Sequence, residues 1–321
     1  MITLSRRRMM QTLCAAGAIG PVAACQTTEG TRPFFESRKL PIGIQLYTLG
    51  DLMTKDPGGT LKEVSKIGYR TVELAGYLGK TPAQLKTAFD TAGLKCTSAH
   101  VGLARGSATE PKLLDDLGRL AADMHVIGAA HVICPAMSAP ADIKLTPNAG
   151  EGFRVITRVA QAMTEDHWKR MAGEFNDIGR KLKSEGIAFG YHNHNMEFVK
   201  VGERTGFDIL IAETDPALVA FELDIGWAAA GGLDPVAMFN KNQGRYFLAH
   251  IKDIKASTQP NINVQMDPTE VGSGRLDWKT ILPAAYKAGV RKFFVEQEAP
   301  FAFPRLESAA KGFAYLNGLI A

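Results

Sequence analysis

Four of the seven histidines, His100, His192, His194 and His250, stand at the ends of short β-type runs, and acids close other runs of the same kind. Glu73 lies in TVELAG, Glu222 and Asp224 in FELDIG, and Glu296 and Glu298 in FFVEQE; Lys252 and Asp253 follow His250 in AHIKD. Side chains two apart on a strand share a face, so His192 with His194, and Glu222 with Asp224, point the same way. Imidazoles and carboxylates converging on one cavity form the donor set of a divalent ion. Such a mixed set suits Mn2+, Co2+, Fe2+ or Zn2+ better than Ca2+ or Mg2+. Each residue alone has a plainer reading. A single strand-end histidine usually just satisfies hydrogen bonds, Glu298 reads as a surface acid, and Glu222 as a buried acid paired with Lys252 or an arginine. His125, His131 and His167 fall on helical stretches or strand starts and read as structural. The plainer readings leave unexplained why four histidines gather at C-terminal strand ends.

The elements that must carry these residues alternate strictly. β-type runs at 41–49, 71–76, 95–102, 131–137, 187–194, 219–227, 246–253 and 292–298 are separated by helical patterns, among them 60–67, 81–92, 111–127, 164–185 and 277–288. Gly68, Gly93, Gly128, Gly186 and Gly289 follow helical stretches as C-caps do, and Thr81-Pro82 and Asp234-Pro235 read as an N-cap with an N1 proline. Eight strand–helix units predict an α/β fold, a closed (β/α)8 TIM barrel forming a single domain over residues 41–321. A doubly wound open sheet is the alternative, but no glycine-rich phosphate loop follows the first run. Barrel active sites are built at the C-terminal strand ends, where the polar residues lie. The two long connections leaving that end, 138–163 and 254–276, read as substrate-covering elements.

The 37 lysines and arginines against 33 acids give a net charge of +4. Residues 1–24 hold Arg6, Arg7 and Arg8 and no acid, so the rest of the chain carries only +1. That is too little for a phosphate-binding footprint, and nucleic acid is not an expected partner. Ser5-Arg6-Arg7-Arg8, followed by a small-residue apolar stretch to Ala24, reads as a signal peptide over 1–24 and resembles the twin-arginine export signal. The apolar stretch is too short for a good membrane span. Val22-Ala23-Ala24-Cys25 resembles a lipobox in which Cys25 is acylated, ordinary cleavage with a free Cys25 being the alternative. Residues 25–40 read as a polar linker. The expected setting is the periplasm, with a lipid anchor at Cys25. Cys96 and Cys134 lie in apolar strand-like runs and read as buried free thiols.

In chain order, GIQLYTL, GYRTVELAGY, SAHVGL, GYHNHNMEF, ELDIGWAAAGGLDP, HIKD, VGSGRLDW and FVEQE, spread over residues 42–298, resemble the sugar phosphate isomerase/epimerase family, the xylose isomerase-like barrels. The resemblance implies one divalent ion held by the residues ending the fifth to eighth strands, here His192, Asp224, His250 and Glu296. Two positions depart from the pattern: His192 stands where many members have glutamate, and Trp227 where relatives often carry histidine. With one glutamate of the usual acid/base pair absent, the two-glutamate epimerase mechanism does not carry over whole. The His-for-Glu change resembles the keto-inositol dehydratase branch, whose chemistry is elimination beside a ketone. The implied first step is removal of a proton α to a sugar ketone, giving an enediolate, with the ion as Lewis acid. Glu296, His194 and His100 are the candidate bases. Tyr47, Glu73, Trp227 and Lys252 are the candidate substrate-binding residues. The expected partner is a small-molecule sugar, and the expected reaction is epimerisation or isomerisation, with a lyase or dehydratase as alternative. An exported setting favours a keto-sugar or keto-glycoside over a sugar phosphate. A sugar-binding module without catalysis and a metal-dependent nuclease on a related barrel are the alternatives from other classes.

Overall fold

The computed structural model describes residues 32–104 and 110–321; the twin-arginine pattern and Cys25 lie outside the described residues. The eight runs become β1 (Gly43–Gln45), β2 (Thr71–Ala75), β3 (Lys95–His100), β4 (His131–Cys134), β5 (Ala188–His192), β6 (Val219–Asp224), β7 (Tyr246–Ile251) and β8 (Lys292–Val295). They pair in parallel in sequence order, and β8 returns to β1, so the barrel is closed as the alternation predicts. Parallel neighbours need a crossover, supplied by helices such as Pro57–Ile67, Pro82–Ala92, Leu117–Ile127, Glu165–Ser184 and Trp278–Ala288. Helix Glu165–Ser184 buries Trp168, Met171, Phe175, Ile178 and Leu182, a stripe at helical spacing. Helix Pro82–Ala92 opens with a Thr81–Gln84 capping box and stops at left-handed Gly93.

Three boundaries differ from the sequence reading. The strands end two to three residues before several predicted runs do, because Pro135-Ala136-Met137 and the polar residues at 193–194 and 296–298 belong to the turning chain of the mouth. The helix expected over 111–127 begins only at Leu117, where Asp116 caps the Gly118 and Arg119 amides. Residues 33–40, read as linker, are part of the packed body: Phe34 and Phe35 sit in the short helix Phe34–Ser37, are buried, and meet the Phe293 ring edge-on at 6.1 and 5.6 Å. The Phe34 N–H donates to Leu319 O at 2.7 Å, joining the two ends of the barrel domain.

Inside the barrel the lining changes along the axis. Ile133, Leu248 and Phe294 form an apolar floor. Gly43 faces that floor; a Cβ there would lie 2.5 Å from Phe294 Cδ1, so only glycine admits the ring. Above the floor the buried residues are polar: Gln45, Glu73, Ser98, Glu222 and His250. Cys96 and Cys134 are free, and burial pushes both thiols up to about 12. Among the described residues no helix is long and apolar enough to cross a membrane.

Two stability measurements follow from this packing. Phe34→Ala is expected to cost about 3 kcal/mol, read as a lowered Tm, whereas a detachable linker would show no change. His131 stacks on Phe247 at 5.0 Å, its Nδ1 is buried without a partner, and burial with the nearby Lys292 lowers its pKa from 6.5 to about 4. The unfolded chain therefore binds a proton below pH 6.5 that the folded chain refuses until about pH 4, so stability falls as pH drops through that window. Denaturation midpoints of His131→Gln across the same window should fall less steeply than those of the unmodified protein.

Candidate active site

β5 runs out in His192-Asn193-His194-Asn195, and strand alternation gives each residue a different task. His192 is buried in the interior, with Nδ1 3.2 Å from Glu222 Oε2 and Nε2 3.9 Å from Asp224 Oδ2. Asn193 Oδ1 accepts the Asp224 N–H at 3.0 Å and so fixes the end of β6. His194 lines the mouth. Asn195 donates to Asn261 O and Oδ1 at 2.9 and 3.0 Å and accepts the Val264 N–H at 3.1 Å, which ties the 254–276 loop to β5. Glu197 braces the segment from below, accepting the Tyr191 hydroxyl at 2.6 Å and the His194 N–H at 2.9 Å; burial pushes its carboxyl up to about 7. Asp224 caps helix Ile225–Ala230 by accepting the Trp227 N–H at 2.7 Å.

Two glutamates lie deeper, each at a register shift. The β2–β3 pairing slips between Val72 and Glu73, and the β6–β7 pairing between Phe221 and Glu222. Such bulges re-aim side chains, and both carboxylates end fully buried. Glu222 Oε2 lies 2.9 Å from His100 Nε2, 3.2 Å from His192 Nδ1 and 3.2 Å from His250 Nε2. It thus pairs with three imidazoles, not with Lys252 or an arginine. Glu73 Oε2 accepts from Gln45 Nε2 at 2.8 Å and lies 2.7 Å from His250 Nε2 and 3.1 Å from His100 Nε2. Burial works to raise Glu73, but the two imidazoles overcome it and hold the carboxylate below its usual range. Burial and the neighbouring Glu73 push Glu222 up to about 7. His100 carries the opposite charge: against burial, Glu73 and Glu222 raise it to about 9.

Above this layer His250 Nδ1 lies 2.9 Å from Glu296 Oε2 and 3.7 Å from Asp224 Oδ2. Lys252 is buried, with Nζ 2.9 Å from Asp224 Oδ2, 2.8 Å from Glu296 Oε2 and 2.7 Å from Glu298 Oε1. Its stem passes close under helix Ile225–Ala230, where a Cβ on Gly226 would lie 2.7 Å from Lys252 Cγ. Burial opposes the ammonium, yet the three carboxylates raise its pKa well above the usual value. Burial likewise works to raise Glu296, but Lys252 and His250 hold it well below the carboxylate range.

One donor atom from each of His192, Asp224, His250 and Glu296 lies within 4.8 Å of the others, and a second group, His100, His192, Glu222 and His250, meets the same spacing. The upper group suits a divalent ion better. It supplies two carboxylates, and each of its histidines turns its other nitrogen to Glu222, the carboxylate–histidine arrangement that fixes a metal ligand's orientation. Asp224 Oδ2 and Glu222 Oε1 are buried without a hydrogen bond, the Lys252 contact to Asp224 being an ion pair only. Five carboxylates, Glu73, Glu222, Asp224, Glu296 and Glu298, meet the Lys252 ammonium and the His100 imidazolium here, which leaves a surplus of negative charge that a divalent cation offsets. Burial, then the neighbouring His250 and His100, hold His192 well below its usual value, whereas against burial Glu222 and Glu296 raise His250 well above its own. The four residues therefore fit one divalent ion.

A cavity of 760 Å3 opens over this group, lined among others by Tyr47, His100, Phe153, His192, His194 and Glu296. His194 Nδ1 is buried without a partner, and burial with Lys252 lowers its pKa to about 4. Its ring lies 5.5 Å from Phe153 and 5.4 Å from Trp227. Tyr47 and Phe153 are the exposed aromatics of the mouth. Glu73 and Lys252, expected to bind substrate, are not among the lining residues: one lies under His250, the other under Glu296 and Glu298. Asp253 faces away from the mouth and organises the following loop, accepting the Gly272 and Gly274 amides and the Trp278 indole N–H at 3.0, 3.2 and 2.9 Å. His125, His131 and His167 lie away from the cavity, as their positions in the sequence suggest.

The sequence pattern of xylose isomerase-like TIM barrels matches residues 61–318. The chain belongs to that family. Inosose dehydratase of Lacticaseibacillus casei is 24% identical over 270 residues, covering 80% of this chain and 87% of its own. The rhizopine catabolism protein MocC of Rhizobium meliloti is 25% identical over 261 residues, 76% of each chain. A solved sugar phosphate isomerase/epimerase from Parabacteroides distasonis superposes with a TM-score of 0.67 at 28% identity, over 86% of this chain and 97% of that one. An L-ribulose 3-epimerase superposes at 0.59 with 14% identity over 86% and 93%, a likeness of fold.

Within this xylose isomerase-like barrel, three contributors escape a motif reading. Glu298, read as a surface acid, bonds Lys252 and accepts the Trp227 indole N–H at 3.2 Å; its two-residue spacing from Glu296 was the signal. Phe153 and Arg154 come from the long connection after β4, which marks a covering element but not its contact residues.

Replacing one carboxylate at a time separates the roles around the ion. Asp224→Asn keeps a capping side chain on helix Ile225–Ala230 and should abolish stoichiometric Mn2+ or Co2+ binding in calorimetry without lowering the metal-free Tm. Glu222→Gln should weaken the same binding by about 10–100-fold; undiminished affinity would remove Glu222 from the support of the ion.

Proposed function

We propose that this protein takes a proton from the carbon beside the ketone of a keto-sugar, using one divalent ion held by His192, Asp224, His250 and Glu296, and acts as an isomerase or epimerase. One observation carries the reading: above the four-residue group, the cavity wall places an unpartnered neutral imidazole, His194, together with an imidazolium, His100. A bound divalent ion supplies Lewis-acid polarisation of the ketone and an adjacent hydroxyl. His194, whose Nδ1 has no hydrogen-bond partner among the described residues, is the base that takes the α-proton. His100, held charged by Glu73 and Glu222, donates a hydrogen bond or a proton from the same wall. Lys252 holds Glu296 and Glu298 in place, and Tyr47 and Phe153 offer aromatic faces to sugar C–H surfaces at the entrance.

Elimination is the second reading, and the same pair of residues supports it, because loss of a β-substituent needs one base and one acid rather than two equivalent bases. The inosose dehydratases among the relatives agree with that outcome. The basic and then apolar leader supports a periplasmic setting, and Cys25 a lipid anchor. A neutral keto-sugar or keto-glycoside fits that setting.

Incubation of a keto-sugar panel in D2O with Mn2+, Co2+ or Zn2+ tests the reaction directly. Deuterium should enter at the α-carbon, stop on chelation and return with added metal. His194→Ala should slow exchange by about 10²–10⁴ with metal still bound, and Glu296→Gln should do more because it also removes a ligand. Absence of exchange and of elimination product from every sugar, with metal bound, would leave a sugar-binding module.

A further inference from the structure

The cavity over the ion site does not end at the reacting residues. Arg154, Val264 and Glu298 line it and equally line a second cavity of 510 Å3, so the two adjoin as an inner and an outer lobe across a three-residue seam. Either lobe alone is of small-ligand size. Their linings differ in kind. The inner lobe holds the imidazoles and Glu296. The outer lobe is made by the loop after β7 and by Trp227, with Ser257, Thr258, Gln259 and Gln265 on its wall.

We infer that the outer lobe is a binding subsite for a second sugar ring, neutral and attached to the ring that reacts in the inner lobe; this rests on the keto-sugar reading of the site. Neutral amides and hydroxyls both donate and accept, which matches the hydroxyls of a sugar. An anionic group does not fit: Arg154 is the single cation among the lining residues, and Glu298 and Asp267 line the same lobe. The wall is prepared rather than slack. Ser257 Oγ donates to Asp267 at 2.6 Å, and Asn261 Nδ2 to Gln259 O and Gln265 O at 2.9 and 3.0 Å. Asn195 anchors this loop to β5 through Asn261 and Val264, so the outer lobe is registered to the reacting residues through one asparagine. At the seam Glu298 is fixed by Lys252 Nζ and the Trp227 indole, which leaves a positioned carboxylate where the two rings would join. The Arg154 side chain has no hydrogen-bond or ion-pair partner among the described residues and faces the same seam.

The test uses the full chain loaded with Mn2+ and compares a keto-disaccharide with its one-ring keto-sugar by deuterium exchange. One or two neutral hydrogen bonds to the second ring are worth about tenfold in kcat/KM, so the two-ring substrate should be preferred by about that factor. Gln259→Trp fills the lobe from an exposed loop position and should bring the ratio to near one; Gln265→Ala should lower it partway. A ratio near one in the unmodified protein, a ratio unmoved by both variants, or a larger preference for an aryl keto-glycoside would overturn the subsite. If no keto-sugar exchanges at all, the proposed reaction fails, and saturation-transfer NMR of the unoxidised disaccharide still decides the lobe. Contact with both rings that shrinks to one in Gln259→Trp supports it, and contact confined to one ring in the unmodified protein overturns it.

Discussion

Taking a carboxylate out of water costs several kcal/mol unless charge and hydrogen bonds compensate it, and this barrel buries Glu73 and Glu222 together at its centre. The imidazole of His250 makes that arrangement tolerable. Its Nε2 lies 2.7 Å from Glu73 and 3.2 Å from Glu222, while its Nδ1 lies 2.9 Å from Glu296. A single ring therefore joins the deep layer to the candidate ion site, and its orientation is set from below. Glu222 extends the same control to His192. The deep acids are in this sense the foundation of the ligand group, although neither faces the cavity.

Rigidity below contrasts with loops above. The mouth is covered by two long connections, each tied down at a few points. Asp253 gathers the amides and indole of the 272–278 segment, and Asn195 holds Asn261 and Val264. Val264 carries φ of 53°, a left-handed backbone that a β-branched residue adopts only where its surroundings impose it. The imposed conformation lies on the seam between the two lobes of the cleft. Strain at Val264 thus lies on the seam of the cleft, while the charge pairs that support the site lie in the interior.

Much of this was legible in the chain itself, for a physical reason. Parallel barrel strands are buried on both faces and read as apolar runs, so a polar residue near the end of one stands out; His192, Asp224, His250 and Glu296 stand out that way, and the structure brings one donor atom of each within 4.8 Å of the others. Depth along the axis was not legible. Glu73 and His100 both interrupt apolar runs, yet one lies under the site and the other in its wall, because a bulge between Val72 and Glu73 shifts the register. Lys252 looked like a sugar ligand because a lysine at a strand end normally reaches solvent; here three carboxylates draw it inward. Phe34 and Phe35 were hidden in a polar-looking stretch too short to show periodicity.

The placement of Lys252 also decides among the three candidate bases under the proposed reaction. Glu296 shares one oxygen between the lysine ammonium and His250 and is held far below the range in which a carboxylate accepts a proton readily. Its work is charge balance and ligation. His100 is committed to Glu73 and Glu222 and already carries its proton. His194 has a nitrogen, Nδ1, with no partner among the described residues, and burial, with the same lysine that occupies Glu296, keeps that imidazole neutral. A base that starts neutral and an acid that starts charged, on one cavity wall, suit a reaction in which a proton is taken at one position and another is delivered elsewhere. That favours isomerisation or loss of a substituent over epimerisation, which must deliver the second proton to the opposite face of the same carbon.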